Sequence, residues 1–340
     1  MDETTTAFAP GRVNLIGDHT DYTGGLACPM AVDLGTTTTL RLGGDEVRIT
    51  SDQQPLEAVV PLDVVDPAIV RPRWARYVAG VVSVLRPPVG GTGTMTSTVP
   101  VGAGMSSSAA LELSVALALG YEGTPMELAT ACQRAEHAAV GVPSGLLDQL
   151  SSACGLEGHV MVIDFTSLDV AHFPLPPEAE VVVVHTGVAR ELAGSAYADR
   201  RAECERAAAE AGPLAAATVD DVERLADPLL RRRARHVVTE NARVRAFAAA
   251  LRSGDLVTAG RLMGESHASL ATDFEVTTEP LDTLAARLAA LPGVFGARMT
   301  GAGFGGCVVA LGTPGAVTEG WRVRAVGGAR RVMDPTVCSG

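Results

Sequence analysis

Three glycine-rich segments and one acidic cluster carry the residue types from which a phosphate-handling site could be built. The run Gly102, Ala103, Gly104, Met105, Ser106, Ser107, Ser108 follows a short strand pattern and leads into a breaker-free stretch from Ser107 to Leu119. A glycine-rich turn between strand and helix lets backbone N–H groups converge, and the helix start adds partial positive charge. Three serine hydroxyls stand where phosphate oxygens or a magnesium ion would lie. The same segment also reads as a serine N-cap behind a flexible turn. Near the start, Gly11-Arg-Val-Asn-Leu-Ile-Gly is followed by Asp18, His19, Thr20 and Asp21, and near the end comes Met299-Thr-Gly-Ala-Gly-Phe-Gly-Gly-Cys. Two carboxylates within four residues suit hydroxyl groups or a metal. With no cysteine or second histidine clustered beside them, a transition-metal site is not supported.

The elements that must hold these residues are legible in outline. Thr36–Leu42, Glu46–Thr50 and Met95–Val101 read as strands, with turns at Gly43-Gly44 and Gly90-Gly91. Met126–Val140 reads as a second helix ended by Gly141 and Pro143. Val160–Phe165 and Val181–His185 read as buried strands on either side of Pro174-Leu-Pro-Pro, where the preferred domain boundary falls: residues 1–176 and 177–340. Beyond it the spacing predicts helices over Ala196–Ala211, Val237–Arg252, Leu256–Leu270 and Pro280–Leu291, then strand, turn and strand from Gly296 to Leu311. The arginine run from Arg231 to Arg235 reads as a solvated face.

Composition narrows the chemistry. The chain has 340 residues and a net charge of −12, and all 27 of its basic residues are arginine. Without lysine it is not a Walker-type P-loop kinase. The acidic total argues against nucleic acid or an anionic membrane as partner. Six cysteines without CxxC spacing read as free thiols. The acidic N-terminus lacks a signal-peptide pattern and no window is apolar enough to span a bilayer, so the expected location is the cytoplasm.

The three glycine-rich segments, in this order, resemble the GHMP family of small-molecule kinases. The first narrows the resemblance to galactokinases. Trp74-Ala-Arg-Tyr-Val-Ala-Gly, Ala135-Glu-His, Gly145-Leu-Leu-Asp-Gln, Tyr197 to Cys204 and Gly260-Arg-Leu-Met-Gly-Glu-Ser-His extend it over essentially the whole chain. The resemblance implies an α+β fold of two domains, an N-terminal ribosomal-S5-like one and a C-terminal ferredoxin-like one, with the active site between them. It implies phosphorylation of galactose at its anomeric hydroxyl with ATP and Mg²⁺. Gly102 to Ser108 would wrap the phosphates, with Ser108 and Glu136 on magnesium. Arg12 would supply positive charge and Asp148 would accept the proton. Asp18, His19, Thr20, Asp21, Gly145 and Tyr197 would grip the sugar. Adenine is expected near Trp74 and Tyr77, residues that read equally well as core aromatics.

Asp18 departs from the pattern, since galactokinases carry glutamate there, and its shorter reach predicts looser selectivity at C6. Thr23 replaces a usual asparagine, and only six residues precede Ala7. The alternatives that stay open are a kinase for N-acetylgalactosamine or arabinose, and a sensor that binds galactose and ATP without turnover. Mevalonate or homoserine fits the His19–Asp21 cluster less well. Monomer and homodimer are both compatible with the alanine-rich helices.

Overall fold

The computed structural model describes residues 3–332 apart from 101, 142 and 189–192. Val101, expected to end a strand, and Cys338 lie outside them.

Among the described residues twelve strands and nine α-helices form two sheets with helices packed against them. The first motif lies on a strand, β1 (Thr4–Ile16), which pairs antiparallel with β2 (Leu26–Leu42). Register shifts between Pro10 and Arg12 and between Asn14 and Ile16 bracket Arg12. Such bulges re-aim side chains, and proline with glycine at positions 10 and 11 is the local reason for the first one. β3 (Glu46–Ser51), β4 (Gln54–Pro61), β5 (Gly91–Ser97), β6 (His159–Asp164) and β7 (Val170–Pro174) continue this sheet. Among the described strand pairs only β3 and β5 run parallel.

On the sheet pack α1 (Ala75–Leu85), α2 (Ser107–Ala118), α3 (Pro125–Val140) and the short α4 (Leu147–Ala153). Their core is built from Leu40, Ile49, Val78, Leu113 and Leu150. A Thr124–Glu127 capping box with Pro125 at the first position starts α3, and Gly141 in the left-handed region ends it.

The second sheet consists of β8 (Glu180–His185), β9 (Val294–Thr300), β10 (Cys307–Gly312) and β11 (Trp321–Val323), in the order β11-β8-β10-β9 and antiparallel throughout. Around it lie α5 (Ala193–Ala211), α6 (Val219–Glu223), α7 (Pro228–Arg252), α8 (Leu256–Thr272) and α9 (Glu279–Ala289). The chain then returns to the first sheet, where β12 (Arg330–Arg331) pairs with β1. A shared core joins the halves: Val13, Leu15 and Met30 of the first sheet meet Phe247, Met263 and Val309 of the second part. Ala103 and Met105 are buried in that same core, which anchors the glycine-rich loop from below.

The arginine run is not a solvated face. It belongs to α7, which starts nine residues earlier than its apolar spacing suggested. Arg233 is fully buried and pairs with Glu203 and Glu275, each at 2.6 Å. Paired partners remove the charge penalty that makes an isolated arginine stay in water. The described cysteines form no disulfide, and four of them are buried. Among the described residues no helix is long and apolar enough to cross a membrane.

Candidate active site

The loop before α2 has the conformation its composition demands. Gly102 and Gly104 take φ of 77° and 70°, and Ser106 sits at 58°, a left-handed value uncommon for a non-glycine residue. The Ser106 hydroxyl is buried without a hydrogen-bond partner. A buried hydroxyl beside the first N–H groups of a helix can donate to an acceptor such as phosphate. The loop is pinned from β1. The Arg12 N–H donates to the Met105 carbonyl at 3.1 Å, and Arg12 Nη1 donates to the Gly104 carbonyl. Gly11 permits this approach, because a Cβ there would stand 2.6 Å from the Met105 oxygen.

Arg12 also donates to Asp148, through Nε at 2.9 Å and through Nη2 to the same oxygen, Oδ1. Arg12 is almost wholly buried while the Asp148 side chain is 31% exposed. Asp148 lies in the first turn of α4, and its neighbour Gln149 points into the protein. One Gln149 amide donates to Glu136 Oε2 at 3.0 Å and to Glu112 Oε2 at 3.2 Å. Glu136 Oε1 accepts from the Ser108 hydroxyl at 2.9 Å, and Oε2 also accepts from Ser144 at 2.8 Å. Ser108 and Glu136 are therefore two oxygen donors side by side, one charged. That set fits magnesium, a hard cation that takes few protein ligands and completes its shell with phosphate and water.

The acidic cluster divides in two. Asp21 and Gly145 face the site together. A Cβ on Gly145 would lie 1.6 Å from Asp21 Oδ2, so only glycine admits this carboxylate. Burial, with Asp148 close by, pushes the Asp21 carboxyl up to about 6. Asp18 is buried, with Oδ2 2.6 Å from Arg298 Nη2 and Oδ1 accepting the Gly301 N–H at 3.0 Å. Burial raises its pKa and Arg298 opposes the rise.

His19 and Thr20 hold the loop. The His19 ring bonds the Tyr22 hydroxyl at 2.9 Å and the Ala302 carbonyl at 3.1 Å, and burial lowers its pKa to about 3, so it is neutral. The Thr20 hydroxyl bonds the Gly17 and Leu26 carbonyls. Tyr197 stacks at 5.5 Å from both His19 and Tyr22, and its hydroxyl accepts the Gly145 N–H at 3.4 Å.

Two adjoining cavities meet at Tyr77. One, of about 310 Å³, is lined by Arg12, Asp18, Asp21, Glu136, Gly145, Asp148 and Tyr197, together with Tyr77 and Arg73. The other, of about 220 Å³, is lined by Trp74, Tyr77, Ser107 and Ser108 among others. His19 and Thr20 line neither. Trp74 is held by an Nε1 bond to the Leu56 carbonyl at 3.0 Å. A larger cleft of about 760 Å³, near Pro176 and Arg322, contains none of these residues. Sequence reasoning missed Glu112, Gln149, Ser144 and Arg73. A charged residue between Leu111 and Leu113, on a helix apolar all round, was the available signal for Glu112.

Comparison with known proteins assigns the family. The family description "Galactokinase galactose-binding signature" matches residues 2–42, "GHMP kinases N terminal domain" residues 76–156, and "GHMP kinases C terminal" residues 247–323. A galactokinase of Chloroflexus aurantiacus is 41% identical over 99% of this chain and 92% of its own length. The chain belongs to the galactokinase family. Human galactokinase, another member, is 41% identical over 89% of this chain and 82% of its own. Lactococcus lactis galactokinase, in a crystal structure complexed with galactose, superposes with a TM-score of 0.90 at 31% identity, covering 97% and 95% of the two chains. A mevalonate kinase structure at 18% identity and a TM-score of 0.68 shares the fold. In this galactokinase-family chain Arg12, Glu136 and Asp148 line the first cavity together.

Proposed function

We propose that this protein phosphorylates galactose, transferring the γ-phosphoryl of ATP to the anomeric C1 hydroxyl. The observation that carries the reading is the Arg12–Asp148 pair at the floor of a cavity that adjoins a second one along Tyr77. ATP would occupy the second cavity, adenine near Trp74 and Tyr77, with its phosphates over Gly102–Ser108.

Asp148 Oδ1 is taken by Arg12, which leaves Oδ2 for the sugar hydroxyl. That oxygen orients the hydroxyl and receives its proton as the new O–P bond forms. The bond from the γ-phosphorus to its bridging oxygen breaks, and ADP leaves with the electron pair. Proton transfer is late, since a carboxylate is a weak base toward an alcohol. Positioning and electrostatic stabilisation carry most of phosphoryl transfer. Ser108 and Glu136 would hold magnesium, which when bound neutralises charge on the β- and γ-phosphates. Asp21, Gly145 and Tyr197 would form the sugar wall, and Asp18 would reach its far end. His19 and Thr20 support that wall from behind.

The test is ADP release coupled to a sugar panel. Galactose should give the highest kcat/KM. N-acetylgalactosamine or arabinose ahead of it would choose the sister activity, and no turnover on any sugar would leave a sensor. The expected location is the cytoplasm.

A further inference from the structure

The loop that carries Asp18, His19 and Asp21 is held from behind by a helix that the reading above does not use. Residues 17–25 join β1 to β2, whose pairing stops at Ile16 and Cys28. Backbone groups buried in such a loop need partners from elsewhere. α7, in the other half of the molecule, supplies three. His236 Nε2 bonds the Asp18 carbonyl at 3.1 Å, Glu240 Oε1 accepts the Gly17 N–H at 2.9 Å, and Asn241 Oδ1 accepts the Leu26 N–H at 2.8 Å. A carbonyl only accepts, so His236 carries a proton on Nε2. All three side chains are buried, and they line neither cavity.

The contacts fall at both ends of the loop. At the far end a Cβ on Gly25 would stand 2.5 Å from Asn241 Oδ1, so glycine is what lets the two segments meet. Between the ends His19 takes φ of 63°, a left-handed value that a non-glycine residue keeps only where its surroundings over-determine it. α7 is backed in turn by α8, where Ser269 Oγ meets His236 Nδ1 at 2.9 Å and Ser266 donates to Glu240 Oε1. Glu240 Oε2 accepts from Arg243 at 2.7 Å. Burial opposes ionisation of Glu240, and His236, Arg243 and Arg298 outweigh burial to bring its pKa down to about 2. Its bond to Gly17 is therefore charge-assisted. Asp18 is tied to the second half twice, by its carbonyl to His236 and by its carboxylate to Arg298 and Gly301.

We propose that α7 clamps this loop in its sugar-binding position, with His236, Glu240 and Asn241 as positioning residues that set galactose affinity without touching the sugar. The inference rests on the galactose reading above.

The test separates the two ring nitrogens of His236. In H236Q the side-chain amide nitrogen falls near Nε2 and can donate to the Asp18 carbonyl. In H236N the shorter amide reaches only as far as Nδ1 and leaves that carbonyl without its donor. By calorimetry H236N should bind galactose about tenfold more weakly than wild type, the scale of one hydrogen bond to a buried group, and H236Q within about threefold. KM for galactose should follow the same order, while kcat and the affinity for a non-hydrolysable ATP analogue stay within about twofold in both. Hydrogen exchange at residues 18–26 should quicken about tenfold in H236N and not in H236Q. N241A, which removes the acceptor of the Leu26 N–H without burying a charge, should show the same galactose-only loss and decides the matter if H236N does not fold. Equal galactose affinity in H236N and H236Q, wild-type affinity in N241A, or parallel losses of galactose and nucleotide binding would overturn the proposal. Failure of wild type to phosphorylate any sugar would instead refute the kinase reading, and the exchange contrast would still decide the clamp.

Discussion

Arg12 gives two N–H groups to a single oxygen of Asp148, across 136 residues of chain, and leaves the other oxygen without a hydrogen-bond partner among the described residues. This asymmetry orients the carboxylate without using it up. Arg12 in turn is fixed by the Gly104 and Met105 carbonyls, so the Asp148 carboxylate and the glycine-rich loop are registered through one residue.

On the proposed function, Asp21 should make galactose binding depend on pH. Its folded pKa, about 6, stands above the ordinary value of 3.8 because of burial and then Asp148. The folded state thus holds a proton more firmly than the unfolded chain. The stability tied to this group is full below about pH 4 and lost as pH rises toward 6. Sugar binding has the opposite sign, because the ionised carboxylate is the better acceptor of hydroxyl hydrogen bonds. Galactose affinity by calorimetry should rise up to about tenfold per pH unit below 6 and flatten above it. D21N should bind weakly with little pH dependence; a wild-type profile flat from about pH 5 to 8 would contradict the assignment.

Both Asp18 oxygens are already engaged, by Arg298 and by the Gly301 N–H. With its shorter side chain tied back in this way, Asp18 should contribute weakly to a hydroxyl at the far end of the sugar. Galactose and 6-deoxygalactose should differ in kcat/KM by less than about tenfold, the scale of one ordinary hydrogen bond. A loss of a thousandfold would place a strong C6 contact there.

Glu112 is buried, and burial with Glu136 nearby raises its pKa well above 4.5. Its folded state retains a proton that the unfolded chain releases, so it costs stability increasingly as pH rises above 4.5. E112Q keeps an acceptor for the Gln149 amide and cannot ionise. Denaturant midpoints should show E112Q gaining on wild type between about pH 5 and 8. A pH-independent difference would mean that Glu112 carries no such shift.

What the sequence disclosed follows from how local each signal is. The loop over residues 102–108 was legible because glycine and serine between strand and helix have a direct conformational meaning. α3 was legible through its glycine and proline stop. β1 was not, because Pro10, Gly11 and Gly17 interrupt any alternation, yet those interruptions are the bulges and turns that aim Arg12 and Asp18. Gln149 could not be read at all, since bridging two carboxylates is a purely tertiary property. Arg73 lay one residue outside the matching stretch that begins at Trp74. For His19 and Thr20 the motif marked the right loop, and only packing revealed that their polar atoms bond protein groups behind the cavity.

The central claim is that Asp148 orients and deprotonates the sugar hydroxyl, and D148N tests it most directly. Asparagine keeps an acceptor for Arg12 but not a proton-accepting carboxylate. Galactose affinity by calorimetry should stay within about threefold of wild type, while kcat for ADP release falls by about a hundredfold or more. Wild-type turnover in D148N would contradict the account.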